Sequence, residues 1–268
     1  MHSDAGRRLQ KTILKNAQGF NLLCYFWHTP ISMALTRHIP NFITLLNLFC
    51  GCAAIVAAAG KDFQSAFLLV CLGIFFDFFD GFFARMFNVA GPLGVQLDSL
   101  ADMVTSGVTP GFVLYLMMGE QVNLPFPGFP YLGFIVTLGS CMRLAKFNID
   151  TRQTDSFIGL PTPANALFIL SLPLVLEATD SLILLEALLN PYLLLLIAIL
   201  SAWVMNAEIP LFSLKVKSFD FRKYGLQFGF LAASLVLITF LGYGGVTLTI
   251  LFYILLSIVS NMRKPTHA

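Results

Sequence analysis

Four aspartates, Asp77, Asp80, Asp98 and Asp102, stand in one short stretch of this chain with a single arginine, Arg85, among them. Gly81, Ala84 and Arg85 follow Asp77 at i+4, i+7 and i+8, and Asp80 follows it at i+3. On a helix these five positions share one face. Gly94, Asp98 and Asp102 recur every four residues, so they share a face of a second helix. Gly91–Pro92 breaks the chain between the two, since proline lacks the N–H that a continuing helix needs. The short connection predicts antiparallel neighbours whose polar faces converge, bringing four carboxylates to one place.

The flanking sequence is almost wholly apolar, which makes that convergence costly. Each carboxylate inside a bilayer costs roughly 2.5–3.5 kcal/mol at a helix centre, and four cost on the order of 10 kcal/mol before their mutual repulsion is counted. One arginine does not neutralise four acids. Divalent cations do, and an all-oxygen ligand set without His or Cys selects Mg²⁺, Mn²⁺ or Ca²⁺ over zinc. Four carboxylates can hold two such ions, an arrangement that clamps a phosphoryl group. Arg85 offers a further phosphate contact, and Gly81 and Ala84 leave room for a ligand against the helix backbone. The alternative from a different class is a cation transporter, since intramembrane aspartates also serve ion and proton paths.

The elements that position these groups follow from composition. The chain has 268 residues, 57% hydrophobic and only 11% charged, with a mean hydropathy of +0.80. A soluble domain carries about 25% charged residues. Apolar runs near the length needed to cross a bilayer recur along the chain. They are continuous, without the alternation of a membrane barrel. The expected fold is therefore all-α, a polytopic helical membrane protein. Eight spans are expected, at roughly 39–59, 63–87, 95–118, 128–147, 162–178, 182–206, 225–242 and 245–261. Residues 1–38 form an N-terminal cytoplasmic or interfacial segment, 39–261 the membrane-embedded domain and 262–268 a cytoplasmic tail.

Charge sorting supports an even span count. With eight spans, 15 of the 16 Lys and Arg residues fall on one side, and Lys61 alone falls on the other, near Glu120, Glu177, Asp180 and Glu186. The side rich in Lys and Arg is cytoplasmic, so both termini and the aspartate cluster are expected there. Within residues 1–38, the run from Phe20 to Trp27 is too short to span. It is read either as an interfacial amphipathic helix or as a poorly ordered tail, and Met33 is an alternative start of translation. The net charge of +2 gives no reason to expect nucleic acid. Cys24, Cys50, Cys52, Cys71 and Cys141 form no CxxC pair and read as small apolar side chains.

The run Asp77-x2-Asp80-Gly81-x2-Ala84-Arg85-x8-Gly94-x3-Asp98-x3-Asp102 resembles the signature of the CDP-alcohol phosphotransferase family at every fixed position. The resemblance implies a helical membrane enzyme that moves a substituted phosphate from a CDP-linked donor to an alcohol and releases CMP. It implies a six-helix core, here with two more helices. It also implies two divalent metals, Mg²⁺ or Mn²⁺, on Asp77, Asp80, Asp98 and Asp102, with Asp102 the general base. Gly81, Ala84 and Arg85 would line the nucleotide site.

"IPNFITLLNLFCG" (Ile39–Gly51), "LDSLADMV" (Leu97–Val104), "RLAKFN" (Arg143–Asn148) and "GLPTPA" (Gly159–Ala164) are similar to the branch of that family whose acceptor is L-serine. For that branch the donor is CDP-diacylglycerol and the product phosphatidylserine. Asn41 and Thr44 would reach cytidine or phosphate, and Arg143, Lys146 and Asn148 would contact serine. Arg143 suits the serine carboxylate, because its planar fork binds two oxygens at once. Pro161 and Pro163 fix a loop facing the site. Contact with membrane lipids, a homodimer and a bacterial inner membrane are implied in the same way. A sibling using glycerol 3-phosphate or an inositol phosphate is the runner-up within the family, and such acceptors call for more cationic contacts.

Overall fold

A computed structural model describes residues 30–121, 124–150, 157–211 and 221–262. The proposed interfacial run at Phe20–Trp27, and Arg152, Lys215 and Lys217, lie outside the described residues. The chain is helical throughout the described parts, apart from one short strand pair.

Helix α1 runs from Pro30 to Ala59 and continues through Pro40. The boundary expected between residues 38 and 39 is therefore not a break in structure: the helix begins some two turns earlier. A turn at Gly60–Asp62, with Lys61 at φ 62°, reverses the chain. Asp62 starts α2 (Phe63–Met86) by accepting a hydrogen bond from Ser65 N at 2.9 Å, a side-chain cap for an orphan N–H. That bond holds the exposed Asp62 carboxyl below the usual carboxylate range. A second reversal passes through Asn88, at φ 54°, into α3 (Pro92–Asp102), with Pro92 in the first turn, where no N–H is missed. Helices α1 and α2 pack along their length, and α1 also packs on α3.

After Asp102 the chain makes a π turn, Met103–Val108, and continues as α4 (Thr109–Gly119). The third span is thus one bulged rod, Pro92–Gly119. The single extra residue of a π turn is a frequent device beside functional groups. A 3-10 turn, Phe129–Phe134, leads into α5 (Ile135–Ile149). A strand pair follows, β1 (Phe157–Ile158) against β2 (Pro210–Leu211). Between the two strands lie α6 (Thr162–Ala178), α7 (Leu182–Leu188) and α8 (Pro191–Asn206). Helices α9 (Phe221–Leu241) and α10 (Tyr243–Met262) close the described chain as a hairpin, turned at Gly242, φ 57°.

The expected single span at 182–206 is instead two helices bent by 67°. Pro191 cannot donate into a continuing helix, and the Asn190 side chain starts the new one by accepting from Tyr192 N at 2.9 Å and Leu193 N at 3.3 Å. Among the described residues, five helices are long and apolar enough to cross a membrane, six if this bent pair counts as one. Thr162–Ala178 and Gly225–Leu241 are apolar but shorter. The protein is a polytopic helical membrane protein.

Large apolar side chains such as Phe42, Phe49, Phe78, Leu138 and Phe240 point outward, while the centre holds Ala54, Val70, Leu114, Met118, Ile169 and Leu194. Inward-facing positions are often small, which lets backbones approach where lipid supplies no hydrophobic drive for association. A Cβ on Gly139 of α5 would lie 2.7 Å from Ala202 Cβ of α8.

Candidate active site

The two aspartate faces meet as their spacing requires. Asp77 and Asp80 project from α2, and Asp98 faces them from α3; oxygens of these three carboxylates all lie within 4.8 Å of one another. A cation bound at about 2.0–2.6 Å from each oxygen bridges such a gap, so the donor set fits a hard divalent ion. Asp80 is buried, and its Oδ2 accepts the Thr44 hydroxyl of α1 at 2.5 Å. Asp102 stands at the end of α3, is also buried, and its Oδ1 accepts Asn47 Nδ2 at 3.1 Å. It lies outside the tight trio.

Cavities open on either side of the carboxylates. The first, of about 230 Å³, is lined by Asn41, Thr44, Gly81, Ala84, Arg85 and Asp98, with Pro40, Asp80 and residues of the α2–α3 turn. All five residues expected at the nucleotide and phosphate line it. The space a Cβ on Gly81 would take is bordered by the Arg85 guanidinium, 3.3 Å from Nη1, so the glycine leaves room for that side chain. A Cβ on Gly94 would stand 3.6 Å from Asn41 Oδ1.

The second cavity, also about 230 Å³, is lined by Asp77, Asp98 and Asp102 of α2 and α3 and by Arg143, Phe147 and Thr162 of α5 and α6. Arg143 is 95% buried, being only 5% exposed, and its guanidinium lies over the Phe147 ring at 5.5 Å from the centroid. Pro161 and Pro163 border this cavity as the sequence implied. Their loop is held from behind: Gly159 takes φ +78° and packs against the carbonyls of Met205 and Ala207, while its N–H bonds Ile209 O at 2.9 Å and Leu160 N bonds Val204 O at 3.2 Å. A side chain at residue 159 would meet both obstacles, a left-handed φ and occupied space.

A third cavity, about 340 Å³, lies beyond Arg143 and includes Lys146. Asn148 borders none of the three; its exposed amide donates to Ser99 Oγ at 2.8 Å, tying α5 to α3.

Sequence reasoning passed over Asn47. It is fully buried and joins α1 to the site twice, through the bond to Asp102 and through its carbonyl, which accepts Thr105 Oγ1 at 3.0 Å. Gly73 of α2 makes room for this junction: a Cβ there would stand 2.8 Å from both Asn47 Oδ1 and Thr105 Cγ2. The signal was present, since Asn41, Thr44 and Asn47 recur every three residues and share one face of α1.

Residues 37–259 match the model of the CDP-alcohol phosphatidyltransferase family, and the chain belongs to that family. Among curated proteins, the chain is 39% identical over 127 residues to a CDP-diacylglycerol–serine O-phosphatidyltransferase of Bacillus subtilis, covering 47% of this chain and 70% of that protein. A protein of the same name from Helicobacter pylori is 37% identical over 132 residues, 48% of this chain and 54% of its own length. One from Saccharomyces cerevisiae is 34% identical over 157 residues, 53% and 55% respectively. The match to the latter two spans about half their length.

Proposed function

We propose that this enzyme transfers the phosphatidyl group of CDP-diacylglycerol to the hydroxyl of L-serine, yielding phosphatidylserine and CMP. The observation that carries the reading is the placement of the carboxylate cluster between two cavities. One is lined by Arg85 and small residues of the family signature, the other by Arg143 and Asp102 together. The names of the relatives support the same donor and acceptor.

In this reading Asn41, Thr44, Gly81, Ala84 and Arg85 hold the cytidine and phosphate of the donor in the first cavity. Asp77, Asp80, Asp98 and Asp102 would hold two divalent cations, Mg²⁺ or Mn²⁺, which would supply charge neutralisation at the pyrophosphate. The acyl chains stay in the bilayer. Serine occupies the second cavity, its carboxylate on Arg143. Asp102, oriented by Asn47, accepts the proton of the serine hydroxyl as that oxygen forms its bond to the phosphorus bearing the diacylglycerol. The bond from the same phosphorus to the CMP oxygen breaks, and the electron pair leaves with CMP. Lys146 adds positive charge on the acceptor side. We assign Asn148 to holding α5 against α3 rather than to serine.

The reading includes eight membrane crossings, with the bent α7–α8 pair counted as one and the two short helices crossing as well. Both termini and the site then face the cytoplasm, in a bacterial inner membrane, and two copies form a homodimer. The sorting of Lys and Arg to one side supports this orientation. A transporter reading loses its footing with membership in a transferase family.

The deciding experiment supplies purified enzyme and CDP-diacylglycerol with L-serine, glycerol 3-phosphate or inositol phosphate, and measures CMP release and lipid product. Serine alone is expected to yield both. Turnover with a phosphorylated alcohol and none with serine refutes the proposal.

A further inference from the structure

Two buried polar side chains stand unpaired about one turn beyond the second cavity. Asn165 lies on α6, three residues after Thr162, and Ser106 lies in the π turn, four residues after Asp102. Thr162 and Asp102 both line the second cavity, so each polar residue follows a lining residue by about one helical turn. Helix α6 packs against the π turn and then against α4, so the two rods leave the cavity side by side. Asn165 and Ser106 therefore belong to the floor beneath it.

Asn165 is 1% exposed and Ser106 0%. Both ends of the Asn165 amide, Nδ2 and Oδ1, lack a hydrogen-bond partner among the described residues, and so does Ser106 Oγ. The backbone at Asn165 is satisfied, its N–H donating to Pro161 O at 3.1 Å, so the shortfall is confined to the side chains. Buried polar side chains are nearly always hydrogen-bonded, either to protein or to ordered water. The next residues of α6 toward the core, Ala166, Ile169 and Leu170, are apolar and buried. An apolar side chain at residue 165 would match them and leave no bond unmade.

The chemistry of the unpaired atoms selects their ligand. The amide offers N–H donors at Nδ2 and lone pairs at Oδ1, and the Ser106 hydroxyl can donate and accept. An ammonium group can only donate to them, and a carboxylate can only accept. Water does both, and a buried water makes about three hydrogen bonds. We propose that Asn165 and Ser106 hold ordered water as a hydrated floor under the second cavity, and that this water presents a hydrogen bond to the polar acceptor above it. The floor rests on the unpaired atoms alone; its service to the acceptor rests on the serine reading above. Asn165 and Ser106 are positioning residues, since they meet the acceptor only through the water.

The test has two arms. In the first, a high-resolution cryo-EM map of the full-length enzyme is expected to show water within hydrogen-bond distance of Asn165 and Ser106. A dry floor, in a map that resolves water elsewhere in the protein, overturns the proposal. In the second arm, CMP release is measured with CDP-diacylglycerol and L-serine varied separately. Asn165→Leu is expected to raise the serine KM about tenfold, the loss of one hydrogen bond, with the CDP-diacylglycerol KM unchanged. Ser106→Ala, which keeps the packing nearly intact, should raise it about fivefold and carries the test if Asn165→Leu does not fold. Asn165→Ser restores a donor and an acceptor and leaves room for further water, so its serine KM should stay within about threefold of the unaltered enzyme. A merely structural role predicts the reverse order, with the smaller serine side chain more harmful than leucine, and that order overturns the proposal. An unchanged serine KM in both Asn165→Leu and Ser106→Ala overturns it as well. Failure of the unaltered enzyme to use serine overturns the serine reading, and the map then judges the hydrated floor separately.

Discussion

The bond from Asn47 to Asp102 makes the sharpest prediction, because it can be perturbed from two directions. Asn47→Ala removes the donor outright. A hydrogen bond to a charged group contributes about 1.5–3 kcal/mol, and each 1.36 kcal/mol is tenfold in rate. If Asn47 holds the proton acceptor in its working orientation, kcat falls about 10- to 150-fold. Gly73→Ala reaches the same bond from α2 without touching the site. The new methyl would stand 2.8 Å from Asn47 Oδ1 and from Thr105 Cγ2. Comfortable contact lies at about 3.5 Å or more, so Asn47 must give way by about 0.7 Å. A 3.1 Å bond stretched by that much is no longer a hydrogen bond. Gly73→Ala is therefore expected to lower kcat by at least tenfold, although residue 73 contacts no substrate. The assay is steady-state CMP release in detergent micelles with CDP-diacylglycerol and serine varied separately. Both KM values should move less than kcat. Thr239→Val is the control, since its hydroxyl is exposed and bonds only its own helix, at Leu235 O. If Asn47→Ala and Gly73→Ala both retain kcat within twofold of the unaltered enzyme, Asn47 does not position Asp102.

Three further outcomes are expected. Full chelation by EDTA abolishes CMP release, and added Mg²⁺ or Mn²⁺ restores it; turnover by metal-free enzyme would contradict the carboxylate assignment. Asp102→Asn loses turnover yet retains binding of CDP-diacylglycerol, measured by equilibrium binding of a labelled donor, and a normal kcat in this variant would remove Asp102 as the base. Arg143→Lys keeps the charge but loses the planar fork, so the serine KM rises about tenfold while the donor KM stays; equal rises in both would argue against a carboxylate contact.

How much of this was legible beforehand depends on the range of each interaction. The two aspartate faces follow from a helical period that is local, so Asp77, Asp80 and Asp98 come together as spacing alone requires. Five of the eight expected spans coincide with helices long and apolar enough to cross a membrane, and those at 162–178 and 225–242 coincide with shorter apolar helices. The span at 182–206 did not, because apolar composition masks a break set by one cap and one imino acid at Asn190–Pro191. Asn148 was expected at the acceptor from its neighbourhood in the sequence; its amide donates to Ser99 Oγ, and Ser99 lines the second cavity.

The sequence by itself determined a helical membrane protein, a hard-cation carboxylate set and the family signature, since hydropathy, periodicity and ligand chemistry are read residue by residue. Tertiary structure decided the rest. Asn47 meets Asp102 across 55 residues of chain because Gly73 leaves room where α1, α2 and the π turn crowd together. Arg143 becomes a partition between two cavities only because the Gly159 loop folds back onto the end of α8. Such meetings depend on how closely backbones approach, and that distance is set by the packing of every helix at once.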